Sequence, residues 1–441
     1  MRHVAVMTAT GAVGLMAVFA VDLLSLFWVS RLGDQAFKAA VGYVGLAMFF
    51  AVSFNIGLTI AASAVVSRAV GADDRPRARR LAASSLVIAA IVSSIVAGAM
   101  FVFRDWALAH IVHASGEPFA VASRFLAITL PANPLMALGF VASGLMRAVG
   151  DARRAMYVTL SAAIVTAFLD PALIYGAGLG VYGAAWATVA SRIVVIVVGW
   201  RGAVQVHDIV ARPDLRACVR DFKPIMTIGV PAILANLATP VGAAYTVRVF
   251  SDVSEAAIAA SAIIDRITPF AFAALFALTG SIGPIIGQNY GAKRMGRVQR
   301  ALTDSFLLSI GYVLAAWAAL ALAVPLVLAA FDASGESGAY VAFYCRVGVV
   351  AWVFLACLFV ANTAFNNLGF PLLSMVFNWG RATLGTIPFV TVGVRFGGVK
   401  GGLIGVALGA AVFGLIAVAA AYWTTAELAR RSSERRGASP R

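Results

Sequence analysis

The sequence predicts an all-α membrane protein of about twelve transmembrane helices, arranged as two six-helix lobes related by a pseudo-two-fold axis along the membrane normal. Three observations carry this expectation. The 441 residues are 61% hydrophobic and 12% charged, with a mean hydropathy of +0.92, whereas a water-facing surface needs roughly a quarter of its residues charged. Apolar runs of about 20 residues, the length that crosses a bilayer, recur about twelve times. The polar connections between these runs repeat in register after half the chain. The net charge of +15 does not point to nucleic acid, because the basic residues lie in short loops between apolar runs rather than along one polar face. The expected partner surface is the lipid bilayer.

In chain order the spans are expected at 4–30, 39–67, 81–103, 119–146, 156–176, 181–200, 224–250, 256–287, 301–331, 339–365, 372–394 and 401–426. The first has only Arg2 ahead of its apolar stretch and is too long for a cleaved signal. Connections after even-numbered spans carry Arg68, Arg75, Arg77, Arg79 and Arg80, then Arg147, Arg153 and Arg154, then Arg201, Arg212, Arg216, Arg220 and Lys223, then Lys293, Arg294, Arg297 and Arg300. Those after odd-numbered spans carry only Arg31, Lys38, Arg104, Arg395 and Lys400. The imbalance places both termini and the even loops in the cytoplasm. The longest polar connection, Arg201 to Lys223, reads as a linker between repeats. The expected organisation is an N-lobe over 1–202, a cytoplasmic linker over 203–222, a C-lobe over 223–428 and a basic cytoplasmic tail over 429–441 that includes Arg430, Arg431, Arg435, Arg436 and Arg441.

The repeat is visible where loops align. Residues 70–80 match 290–300 around Gly71-Ala72 and Gly291-Ala292, an offset of 220. At almost the same offset Gly150 meets Gly369, Phe125 meets Tyr344, and Gly180-Val181-Tyr182-Gly183 meets Gly398-Val399-Lys400-Gly401. An even number of spans per repeat gives both halves the same orientation, as in transporters whose halves share an axis along the membrane normal.

Two aspartates, Asp22 and Asp170, lie inside apolar spans of the first half, with no carboxylate at the matching places in the second. Charges within hydrocarbon are costly and mark pathways for ions or protons. At 1.5 Å per residue, the orientation puts Asp22 roughly 12 Å, Asp170 roughly 9 Å and Thr188 roughly 10.5 Å below the outer ends of the first, fifth and sixth spans. Thr166 shares the helix face of Asp170 one turn deeper, and Pro171 frees the carbonyl of residue 167. Carboxylates with hydroxyl and carbonyl oxygens make either a proton-binding dyad or a hard-cation site of Na⁺ type. The competing structural reading is an ion pair of Asp170 with Arg124 or Arg192. Phe125, Asn236, Asp265 and Asn362 are further candidates for binding cargo, against a plain role in helix packing. Arg346 lies toward a helix end where it can snorkel, and Arg381, near the middle of the eleventh span, is expected to face the bundle interior. Cys218, Cys345 and Cys357, and His3, His110, His113 and His207, show no metal-ligand or disulfide spacing.

The run Phe168-Leu169-Asp170-Pro171-Ala172-Leu173-Ile174-Tyr175-Gly176, followed by Gly180-Val181-Tyr182-Gly183-Ala184-Ala185-Trp186-Ala187-Thr188, resembles the fifth and sixth helices of multidrug and toxic compound extrusion (MATE) transporters, nearest to their DNA-damage-inducible branch. Val21-Asp22 with Arg31-Leu32-Gly33-Asp34 is similar to that family's first helix, and Gly287-Gln288-Asn289-Tyr290-Gly291-Ala292 to the end of its eighth. The resemblance covers nearly the whole chain. It implies two lobes forming a V in a bacterial inner membrane, and export of amphipathic drugs or metabolites driven by inward H⁺ or Na⁺, with no cofactor beyond the coupling ion. Carried over by position, the ion site falls on Asp22, Asp170 and Thr188, with Thr166 where an asparagine is common. Phe125 stands where a tyrosine is common, and Thr239 where one branch has an acid. Acidic groups on the pathway favour a cationic cargo, and a monomer is expected. The alternatives are a lipid-linked oligosaccharide flippase of related fold and a major facilitator transporter. A membrane enzyme is disfavoured, since no nucleophile–base or metal constellation is present.

Overall fold

The computed structural model describes residues 2–32 and 35–437. Gly33 and Asp34 of the first-helix resemblance, and Arg441 of the basic tail, lie outside them. The described residues are helical throughout, with short connections and no strand. The helices of the first half are α1 (Arg2–Ser30), α2 (Gln35–Gly71), α3 (Arg75–His110), α4 (Gly116–Thr129), α5 (Asn133–Ala148), α6 (Ala152–Pro171) and α7 (Val181–Trp200). Those of the second half are α8 (Leu215–Ser251), α9 (Glu255–Ala271), α10 (Ala273–Gly291), α11 (Met295–Leu322), α12 (Val324–Ala330), α13 (Gly335–Arg346), α14 (Ala351–Leu368), α15 (Pro371–Ala382) and α16 (Ile387–Gly437). The chain forms two compact units, Val13–Ile233 and Met1–Ala12 with Leu234–Arg441. Both α1 and α8 therefore contribute to both units.

Ten helical stretches are long and apolar enough to cross a membrane, or eleven when α9 and α10, bent by 47° at Phe272, count as one span. The stretch from Pro371 to Arg431 is 61 residues long, about 90 Å if straight, which is three bilayers. It reverses instead. Gly397 and Gly398 leave helical geometry, and glycines before and after them pack backbone on backbone: Gly393 on Gly401, Phe389 on Gly405, Gly385 on Gly409. These pairs run in antiparallel register about residue 397, so α16 is a hairpin and the helices supply the twelve expected spans.

Several spans expected as continuous are interrupted, each for a local reason. A 3-10 turn, Leu130–Ala132, separates α4 from α5 at Pro131 and Pro134, which remove donors. Its counterpart, Gly348–Val350, separates α13 from α14, where Gly348 and the β-branched Val347, Val349 and Val350 are weak helix formers. Pro325 at the start of α12 follows the break after α11.

The repeat is written in the backbone as well. Positive φ occurs at Asp73 (58°) and Lys293 (56°), His113 (52°) and Asp332 (48°), Gly116 (65°) and Gly335 (59°), Gly150 (94°) and Gly369 (98°), and Gly180 (56°) and Gly398 (57°). Each pair stands within two residues of the repeat offset of 220 found in the sequence.

In the amino-terminal unit, α2, α3, α5, α6 and α7 share a core of small residues and valines around Leu58, Val66, Leu81, Val141, Leu145, Met146 and Val195. Ser93, Asn55 and Asn133 close a fully buried ring of side-chain hydrogen bonds inside it: Asn55 to Asn133 at 3.1 Å, Asn133 to Ser93 at 3.0 Å and Ser93 to Asn55 at 3.4 Å. At the loop end of this unit, the stretch expected as a linker is tied down. Arg79 pairs with Asp208 at 2.7 Å and Arg80 with the buried Asp221 at 3.1 Å, to which Ser84 also donates at 2.9 Å. His207 meets Asp151 at 2.9 Å, and the Asp151 side chain also caps α6 through the Arg154 backbone N–H. In the carboxy-terminal unit the core gathers Phe272, Leu278, Ile282, Ile286, Leu302, Phe365 and Val390.

Candidate functional site

Asp170 ends α6 and is 1% exposed. One carboxylate oxygen accepts a hydrogen bond from the Ser25 hydroxyl of α1; the other is buried with no hydrogen-bond partner. Asp22, on α1, is exposed and close enough for the two carboxyls to interact electrostatically. Asp22 and Ser25 are three residues apart, so both project from one face of α1. A second contact between the same segments follows: Tyr175 Oη donates to the Trp28 carbonyl at 2.7 Å, and the two rings meet edge to face. Ser25 with Asp170 and Trp28 with Tyr175 make the two segments parallel.

The ion pair of the competing reading does not form among the described residues. Arg192 is buried but donates to the Thr129 carbonyl and lies 3.3 Å from the Met48 sulfur, while Arg124 sits over the Tyr182 ring at 5.1 Å. Among the described residues no ion pair includes Asp170.

Sequence chemistry shapes the backbone around Asp170. Pro171 deprives the helix of a donor, and the chain continues as a wider π turn, Ala172–Gly176, the kind of irregularity that recurs at functional sites. The turn is braced by Gly183 of α7, where a Cβ would stand 2.6 Å from Leu173 and Ile174 backbone atoms. The Asp-Pro run and the Gly-Val-Tyr-Gly run are thus two sides of one close contact. Thr166 and Thr188 are half-buried, and each hydroxyl donates to the carbonyl four residues earlier, Ala162 at 3.0 Å and Ala184 at 2.9 Å. Their oxygen lone pairs remain able to accept or ligate. The arrangement can bind a proton between carboxyls or a small hard cation among oxygens. No group of three His, Cys, Asp or Glu side chains that could hold a metal ion occurs among the described residues.

The cargo candidates are dispersed. Phe125 is half-buried on α4, packed against the cluster of Val29, Leu126 and Ile174. Asn236, Asp265 and Asn362 stand on α8, α9 and α14 of the other unit; Asp265 is exposed, and Asn362 is buried with its Oδ1 unpartnered. The more developed polar group of this unit was not read from the sequence: Tyr344 Oη shares a hydrogen bond of 3.0 Å with Thr268 and accepts one of 3.1 Å from Trp352 Nε1. Its signal was available, because Tyr344 is the repeat partner of Phe125. Ser25 was also missed; a lone serine in an apolar run carries no signal except its spacing from Asp22.

A family model described as MatE matches residues 12–172 and again 231–392, two matches separated by the offset of the internal repeat. The chain is 25% identical over 404 residues, 90% of its length and 89% of the relative's, to a protein of Shewanella oneidensis named FAD transporter. It is 25% identical over 299 residues, 66% of this chain and 64% of the relative, to the multidrug export protein MepA of Staphylococcus aureus. Among solved structures, the outward-facing conformation of a multidrug resistance MATE family transporter superimposes with a TM-score of 0.91 at 22% identity, covering 97% of this chain and 96% of that one. A mutant of the Vibrio cholerae MATE transporter VcmN gives a TM-score of 0.91 at 22% identity over 98% and 97% of the two chains. The superpositions show the shared fold, and the family model matched twice along the chain shows the lineage: this multi-pass membrane protein belongs to the MATE family of transporters.

Proposed function

We propose that this chain is a secondary active antiporter of a bacterial inner membrane, with both termini cytoplasmic, that exports an amphipathic small molecule in exchange for inward protons held at Asp22 and Asp170. The observation that carries the reading is the Asp170 carboxylate: buried, tethered by Ser25 across to α1, and with one oxygen unpartnered. Binding a cation there changes the charge between α1 and the π turn after α6, and thereby favours one arrangement of these segments over another. An ion and a cargo that prefer different states by a few kcal/mol suffice for exchange. Asp22, Thr166 and Thr188 complete the ion site. Na⁺ is the alternative ion, supported by the free lone pairs of the two threonines.

With the aspartates assigned to the ion, the charge of the cargo rests on other residues. Relatives named for FAD and for multidrug export support organic molecules of appreciable size as the range. The test is efflux from vesicles reconstituted with the full chain. Asp170→Asn should abolish ΔpH-driven efflux while expression and folding persist, and Na⁺ gradients should not replace ΔpH. Coupled efflux by Asp170→Asn at the wild-type rate would refute the assignment.

A further inference from the structure

Arg381 is a half-buried cation whose hydrogen bonds the fold leaves incomplete. It lies in the last turn of α15, ten residues after Pro371, roughly 15 Å along the helix and so near the middle of a hydrocarbon layer of roughly 30 Å. Its guanidinium makes a single hydrogen bond, from Nη2 to the Thr239 hydroxyl of α8 at 3.4 Å, and its Nε is buried with no partner. No ion pair among the described residues includes it. Two other inward arginines are better served: the buried Arg192 by the Thr129 carbonyl, and the half-buried Arg147 by the Ser143 hydroxyl at 2.9 Å.

A second observation concerns the backbone. The eleventh span is interrupted directly after Arg381: residues 383–386 form a turn before α16 begins at Ile387, and the Thr386 hydroxyl donates to the Arg381 carbonyl at 2.9 Å. Interrupted helices near the bilayer midplane are where transporters place binding groups. The carbonyl end of α15 favours a positive charge at this point, which helps keep the guanidinium ionised without a carboxylate.

A guanidinium at this depth with unused donors is costly unless an anion arrives to meet it. We propose that Arg381 binds an anionic group of the cargo, a carboxylate, sulfonate or phosphate gripped by parallel N–H donors, with the Thr239 hydroxyl orienting the guanidinium. One such cation suits an amphiphile bearing one acidic group, and the substrate class is therefore organic anions or zwitterions. This deepens the export reading above and rests on it for direction of transport, but not for binding.

Equilibrium binding separates the two. Full-length protein in lipid nanodiscs is titrated with carboxyfluorescein as the anionic probe and ethidium as the cationic one. Wild type should bind carboxyfluorescein saturably. Arg381→Gln should weaken it about tenfold or more, the size of a lost charge-assisted bidentate contact; Arg381→Lys and Thr239→Val should weaken it by a few fold, with ethidium affinity unchanged. No saturable anion binding by wild type, wild-type affinity in Arg381→Gln, or parallel loss of both probes in the variants would overturn the proposal. If Arg381→Gln does not fold, the Lys and Val variants decide on the same criteria. Coupled efflux retained by Asp170→Asn refutes the ion assignment and leaves the Arg381 result standing.

Discussion

Ser25 and Asp170 show how much a single hydroxyl can set. The serine occupies one oxygen of a buried carboxylate and ties two segments that the chain separates by 145 residues. Ser25→Ala leaves that oxygen without its donor, and we expect a several-fold loss of proton-driven efflux at normal expression, read in the same vesicle assay. Gly183 acts through space rather than charge. Adding a methyl group forces α7 away from the π turn, and Gly183→Ala should cost about 1–3 kcal/mol, seen as a lowered melting temperature in detergent together with reduced efflux. Asp22 and Asp170 were legible in the sequence because a carboxylate in an apolar run has few structural excuses. Ser25 was not, because a serine there has many.

At the level of elements, helices were easier to find than their interruptions. The 3-10 turn at Leu130–Ala132 falls at Pro131 and Pro134, a signal passed over in the continuous span expected at 119–146, whereas the one at Gly348–Val350 has only a glycine among valines, a signal too common in this chain to stand out. The reversal at Gly397–Gly398 was expected from the polar residues around it and from the match with Gly180. Gly398 adopts φ 57° and ψ −146°, and Gly180 φ 56° and ψ −139°, a region that side chains resist at about 1–3 kcal/mol. Gly398→Ala and Gly180→Ala should therefore each lower thermal stability by a similar amount. A loss at one position and none at the other would show that the two turns are alike in shape but not in strain.

For the whole molecule, repetition was legible because it is a sum over many residues. The closure of the loop end of the amino-terminal unit was not, since Arg79, Arg80, Asp151, His207, Asp208 and Asp221 are distant in sequence and ordinary in composition. There Asp151 is held below the usual carboxylate range: partial burial works against its charge, but hydrogen bonds from the Arg154 backbone and side chain, and from His207, outweigh it. Its contribution to stability is thus complete above the unfolded carboxyl's range near about 4 and disappears as the pH falls through the lower folded value. Asp151→Asn should melt below wild type at neutral pH, and the gap should close on acidification below about 4. A gap that widens in acid would contradict the pairing.

The glycine ladder between the two arms of α16 bears on mechanics. Where Gly393, Gly401, Gly405 and Gly409 meet the opposing backbone, there are no side chains to change rotamer, and therefore no gears that can disengage and re-engage a turn later. Such a seam is a weld and not a bearing. Any rearrangement during the transport cycle must carry the eleventh and twelfth spans together as a single strut, and a bulky residue introduced at Gly409 would be felt along the full length of that strut.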